Sequence, residues 1–145
     1  MFEGFELKVE LTSPEAKCPI RSLPGDAGMD LFTPKTVTIP AGGSLLIPLD
    51  IRVEFPDGYV MIVKEKSGVA TKKLLSVGAA VVDAKYRGIV HVHLFNHGKY
   101  DASFMAGEKV AQALIVPIWD GDPIVVDKVN MDTVRGEGAF GSTGK

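Results

Sequence analysis

Leu45-Leu46-Ile47-Pro48-Leu49-Asp50-Ile51-Arg52-Val53-Glu54-Phe55-Pro56-Asp57-Gly58-Tyr59-Val60-Met61-Ile62-Val63 is the stretch that decides the fold class. An apolar run from Leu45 to Phe55 meets the segment Phe55-Pro56-Asp57-Gly58-Tyr59, and Tyr59 to Val63 then runs back. Proline presets one turn dihedral, aspartate bonds its neighbouring backbone, and glycine supplies a positive φ. The reading is strand, reversal, strand. The same grammar recurs on both sides. Phe5-Glu6-Leu7-Lys8-Val9-Glu10-Leu11 alternates apolar and polar residues, as a half-buried strand does. Ile89-Val90-His91-Val92-His93-Leu94-Phe95 alternates again, and Asn96-His97-Gly98 closes it. Val110 to Trp119 and Ile124 to Val129 are the last predicted strands, and only Val69-Ala70-Thr71-Lys72-Lys73-Leu74 has the makings of a short helix. Proline and glycine, 9 and 16 residues, fall mostly between the apolar runs. The expected fold is all-β: a jelly-roll-like β-sandwich or barrel with at most one short helix.

A chain of 145 residues, 46% of them hydrophobic, has material for one domain with a real core and too many apolar side chains for disorder. No apolar run reaches the ~18 residues of a membrane span. Met1-Phe2-Glu3-Gly4-Phe5 has no basic region ahead of an apolar segment, so no secretory signal is expected. The formal charge of −2 gives no reason to expect polymeric nucleic acid as a partner, although a small anion needs only a locally positive pocket. The single cysteine, Cys18, excludes an internal disulfide and a cysteine-built zinc site, and reads as a packed side chain or a bystander. The setting these features predict is intracellular: the cytoplasm, or the interior of a host cell if the source is viral.

The C-terminus breaks the pattern. Residues 1–131 form the expected β domain, and 132–145 a mobile arm: Asp132-Thr133-Val134-Arg135-Gly136-Glu137-Gly138-Ala139-Phe140-Gly141-Ser142-Thr143-Gly144-Lys145, with four glycines. Glycine-freed backbone N–H groups, two hydroxyls and a guanidinium suit a phosphate chain, and the lone aromatic suits a planar base. Taken alone, these residues leave a ligand-closing tail and a plain floppy end both open.

Five segments carry a stronger signal together than any does singly. They are Ala27-Gly28-Met29-Asp30-Leu31; Lys66-Ser67-Gly68-Val69-Ala70; Gly78-Ala79-Ala80-Val81-Val82-Asp83-Ala84-Lys85-Tyr86-Arg87-Gly88; Gly107-Glu108-Lys109-Val110-Ala111-Gln112; and Arg135 to Gly144. In this order and at this spacing the chain resembles the trimeric dUTPase family.

The resemblance implies hydrolysis of dUTP to dUMP and pyrophosphate by a homotrimer with shared active sites, the arm crossing to a neighbour. It implies that Asp83 activates the water attacking the α-phosphorus, with Gln112 and Asp30 as further catalytic groups. Read alone, Asp83 and Tyr86 would be a turn-capping aspartate and a core tyrosine. The resemblance instead packs Tyr86 against the deoxyribose, where it excludes a 2′-hydroxyl. Residues 77 to 83, with Gly78, Ala80 and Val82, would form a hairpin that reads uracil through main-chain groups. Ser67 and Gly68 would donate to phosphate beside Lys66. In the tail, Arg135, Ser142 and Thr143 would engage the β- and γ-phosphates, and Phe140 with Gly141 would close over uracil. Mg²⁺ is the implied cofactor, held mainly by substrate phosphates, with no dedicated protein ligands.

The sequence also departs from the family. Lys66 stands in place of the usual arginine, which removes the planar fork that grips phosphate at two points. Glu65 replaces proline, Ala80 and Ala139 replace glycine, and Val77 stands where many members have asparagine. His91 and His93 face one side of a strand, which offers at most two metal ligands. Two rivals remain. A dCTP deaminase would carry a glutamate on the strand Ile89 to Leu94, which has no acid. A nucleotide-binding regulatory protein would keep the fold without needing the complete Asp83, Gln112 and tail set.

Overall fold

The computed structural model describes residues 2–141. Eleven strands and one helix follow in order: β1 (Lys8–Leu11), β2 (Met29–Phe32), β3 (Val37–Ile39), β4 (Ser44–Pro48), β5 (Ile51–Glu54), β6 (Tyr59–Lys64), α1 (Ser67–Lys72), β7 (Leu75–Val77), β8 (Val81–Asp83), β9 (His91–Asn96), β10 (Ala102–Phe104) and β11 (Lys109–Pro117). Every strand pair is antiparallel. A four-stranded sheet has the order β2-β11-β6-β8 and a three-stranded sheet the order β4-β9-β7, with the pairs β1-β5 and β10-β3 completing a jelly-roll sandwich. Strands distant in sequence are neighbours in space, as β11 between β2 and β6 illustrates.

Alternation places the core. On β9, Val92 and Leu94 are wholly buried while His91, His93 and Phe95 face outward. Leu31, Ile39, Ile47, Met61, Val63, Phe104, Val110 and Ala113 join them between the sheets. Asn96 closes β9 as a buried amide: its Nδ2 donates to the carbonyls of Ile39 and Tyr100, and its Oδ1 accepts the Gly98 N–H. An unpaired buried amide would be costly, so three partners make the turn specific.

Three expectations are corrected by the tertiary structure. The Leu45–Phe55 run is two strands, because Asp50 takes a left-handed φ of 56° and bends the chain. Its carbonyl accepts from the Thr12 N–H and Oγ1, and its carboxylate from Ser13 Oγ, so the corner is held by the end of β1. The Pro56–Gly58 turn then joins strands of different sheets, since β5 pairs with β1 while β6 pairs with β11 and β8. Ile124 to Val129 is no strand: Ile124 and Val125 are 83% and 101% exposed, and no strand among the described residues pairs with them. The helix lies two residues upstream of its predicted start, and Leu74, with φ 56°, follows the Lys73 cap in the left-handed conformation that ends a helix.

Candidate active site

The outer face of the four-stranded sheet carries the first cluster. Gln112 on β11 is in register with Asp30 on β2 and Lys64 on β6. Asp30 is 3% exposed, and its carboxylate bonds Lys66 Nζ, Lys109 Nζ at 2.9 Å and Ser22 Oγ at 2.7 Å. Burial by itself would raise the Asp30 pKa. The hydrogen bonds from Lys66, Ser22 and Lys109 outweigh it and lower the value from 3.8 to about 2. One fixed negative charge thus holds two lysines, each still partly exposed, and the cluster keeps a positive excess suited to an anion.

Two further residues shape this cluster. Gln112 Nε2 donates to the Glu65 carbonyl at 3.0 Å, and a Cβ on Gly28 would overlap the Gln112 amide. The first-motif glycine is therefore small because the fourth-motif glutamine crosses it. Glu65 takes the Val77 N–H at 2.8 Å on its carboxylate and pairs with Lys64 at 3.2 Å. The Val77 bond and Lys64 hold the Glu65 pKa below its ordinary value, against the opposing effect of burial. Lys66 caps the start of α1, so the N–H groups of Ser67 and Gly68 open the first turn, where helix amides have no intrahelical acceptor.

The second cluster surrounds a cavity of about 210 Å³ beside β8, the edge strand of the same sheet. Ala79, Ala80, Val82, Asp83, Tyr86 and His91 are among its lining residues. The predicted hairpin at 77–83 is a loop whose arms pair outward, β7 with β9 and β8 with β6, not with each other. Its Ala80 carbonyl accepts the Val63 N–H at 2.8 Å. Tyr86 turns back over Gly88, where a Cβ would overlap its ring, and its hydroxyl donates to the Ile89 carbonyl at 2.8 Å. The Asp83 side chain is exposed and its carboxylate bonds none of the described residues.

The two clusters do not converge within one chain. Asp83 is opposite Val60 and Gln112 is opposite Lys64, four residues apart on β6 and on its two sides. That is about 13 Å along the strands and about 10 Å across them. No single water reaches both side chains. The tail reaches neither cluster: from Val116 to Gly141 every residue but Gly138 is exposed. Arg135 Nε donates to the Gly138 carbonyl at 2.7 Å, and Phe140 is fully exposed with φ 51°. Ser142 and Thr143 lie outside the described residues.

A family model described as dUTPase matches residues 14–144. The chain belongs to the dUTPase family. The deoxyuridine 5'-triphosphate nucleotidohydrolase of Candida albicans is 43% identical over 96% of this chain and 88% of its own length. That of Arabidopsis thaliana is 42% identical over 94% and 82%. Among solved structures, the dUTPase of Staphylococcus bacteriophage 80alpha with dUpNHpp superposes with a TM-score of 0.90 at 29% identity, over 97% of this chain and 99% of that one. A mutant dUTPase from phage phi11 of S. aureus, described with a structural Mg(II) ion, gives a TM-score of 0.80 at 27% identity, over 86% and 98%.

Two residues of the dUTPase scaffold escaped the sequence reading. Lys109 is brought onto Asp30 by the β-bulge between Lys109 and Ala111, a feature no alternation pattern announces. Glu65 read only as a departure from proline, yet it ties the second motif to β7 and to Gln112. The histidines are engaged locally: His91 Nδ1 with the Ile89 carbonyl at 2.9 Å, and His97 Nε2 with Ser76 Oγ at 2.6 Å. Among the described residues no group of three or more His, Cys, Asp or Glu could hold a metal, and Cys18 is exposed.

Proposed function

We infer that this protein is a dUTP diphosphatase that hydrolyses dUTP to dUMP and pyrophosphate, limiting uracil in DNA and supplying dUMP. The observation that carries the reading is a pocket lined by Ala80, Val82 and Tyr86 together with Asp83, whose carboxylate bonds none of the described residues. A nucleobase and its sugar would fill such a pocket, leaving Asp83 level with the first phosphate. There the carboxylate takes a proton from the attacking water. Pyrophosphate leaves as the water oxygen bonds the α-phosphorus in line. Lys66, with Ser67 and Gly68, balances charge on the departing phosphates. Gln112, fixed by Glu65 and Gly28, orients water or a phosphate oxygen, and Asp30 holds the lysines in place.

The distance between Asp83 and Gln112 within one chain argues for sites shared between copies. A homotrimer, with residues 132–145 of one subunit closing a neighbour's site, joins the two clusters. The exposed apolar side chains between Ile118 and Val134 support this, because a neighbouring copy would bury them. Arg135 and the Ser142-Thr143 pair then reach the outer phosphates, and Phe140 covers the base. The donor set favours Mg²⁺ carried on the triphosphate, since the Asp30 oxygens are already bonded to lysines and Ser22. Bound there, the ion supplies charge neutralisation at the phosphate oxygens.

No helix among the described residues is long and apolar enough to cross a membrane. An intracellular deoxynucleotide pool is the setting we propose; the relative from Dictyostelium discoideum is named mitochondrial.

The test is pyrophosphate release from dUTP, dCTP, dTTP and UTP, with and without Mg²⁺. Release from dUTP, stimulated by Mg²⁺ and selective over the other three, is expected. No release from any of them would move the reading to a nucleotide-binding regulatory protein on this fold.

A further inference from the structure

His93 stands on β9 behind the entry to the 78–80 loop. Its carbonyl accepts the Gly78 N–H at 2.8 Å, and its ring Nδ1 accepts the Ala79 N–H at 3.3 Å. Two consecutive amides are therefore held by one residue. The ring also covers the α-carbon of Gly78, where a Cβ would overlap both His93 and Phe95. Phe95 braces the imidazole in turn, with ring centroids 4.5 Å apart.

The Ala79 N–H belongs to the peptide joining residues 78 and 79. Gly78 is the residue freest to rotate that peptide, because it has no Cβ to restrict φ and ψ. An acceptor fixed on its N–H removes that freedom. Downstream, the Ala80 carbonyl is held by the Val63 N–H, so the segment is pinned at both ends. Between and beyond the pins lie Ala79, Ala80 and Val82, which line the cavity.

We propose that His93 is a positioning residue for base selection: its imidazole acceptor locks the 78–79 peptide, so that the loop presents its main-chain groups to one pyrimidine edge. The proposal rests on reading the cavity as the base pocket of a dUTP hydrolase. The ring serves as a neutral imidazole with its proton on Nε2 and touches no substrate. Nothing in strand alternation distinguishes this histidine from His91, whose Nδ1 faces the Ile89 carbonyl instead.

The test compares His93→Leu, which keeps bulk and loses the acceptor, with His93→Asn, whose Oδ1 returns an acceptor near the Nδ1 position. Hydrogen exchange of the 78–83 amides is followed in nucleotide-free protein, alongside kcat and KM for dUTP and dCTP. In His93→Leu we expect faster exchange and a KM for dUTP raised up to about tenfold, as one lost hydrogen bond allows. Preference for dUTP over dCTP falls by a similar factor while kcat stays within about threefold. His93→Asn recovers most of each. Should His93→Leu fail to fold, His93→Gln replaces it, since its longer side chain carries the acceptor past the δ position. Unchanged exchange, unchanged base preference, or no recovery in His93→Asn overturns the proposal. Altered exchange in a protein whose native form releases nothing from dUTP would instead overturn the functional reading and leave the clamp standing.

Discussion

The Gln112 amide occupies the space a β-carbon on residue 28 would fill, so Gly28 and Gln112 are fitted to each other across β2 and β11. The glutamine is held on its other side by its bond to the Glu65 carbonyl. Two motif residues 84 positions apart in the chain, Gly28 and Gln112, thus describe one contact. Its neighbours Asp30, Lys66 and Lys109 depend on the same strand register.

Gly28→Ala tests that fit. The added methyl forces Gln112 out of its place, while φ at Gly28 is ordinary and the backbone accepts alanine. We expect kcat for dUTP to fall by about 10- to 100-fold, as a displaced positioning group costs, with little change in melting temperature. Steady-state kinetics with a thermal melt checks it. Native kcat would show that Gln112 has no part in turnover.

Asp83→Asn removes the proposed base while keeping shape. The carboxylate bonds none of the described residues, so the fold loses little. Turnover should drop by about 10²- to 10⁴-fold, with binding of a non-hydrolysable dUTP analogue retained by calorimetry. An active Asp83→Asn enzyme would end the assignment.

Asp30 gives a pH prediction. Its folded pKa, lowered to about 2 against an ordinary 3.8, means that the folded state favours the ionised form. The stability this adds is complete above the unfolded value and disappears as pH falls through the folded one. Between about pH 5 and pH 2, the native protein should lose roughly 2 kcal/mol more than Asp30→Asn does. Urea unfolding at both pH values measures the difference, and parallel losses in the two proteins would refute it.

Ending the chain at Val134 removes Arg135 and Phe140 yet almost no buried surface, since of residues 135–141 only Gly138 is not exposed. The truncated protein should keep its melting temperature and oligomeric state while kcat/KM falls by about 100-fold or more, the scale of lost phosphate contacts and closure. Light scattering and kinetics together decide. A dissociated or unfolded product would make the tail a structural arm and not a lid.

The sequence by itself determined what depends on short-range pattern and side-chain chemistry. Alternation at His91–Phe95 and in β6 and β11 announced strands, and proline and glycine marked their ends. The five motifs announced the family and therefore the reaction. Pattern failed where a partner decides the outcome. Ile124–Val129 has the composition of a strand but pairs with no edge among the described residues, and a strand without a ladder leaves its backbone to water. Asp50 splits an apolar run because Thr12 and Ser13 reach it from elsewhere in the chain. Only the tertiary structure set Lys109 on Asp30, because a bulge shifts register by one residue and no periodicity encodes it. Only it separated Asp83 from Gln112, because motif order says nothing about which ends of a sheet the motifs occupy. The chemistry was written in residue types; the separation of Asp83 from Gln112 within the chain was written in strand register.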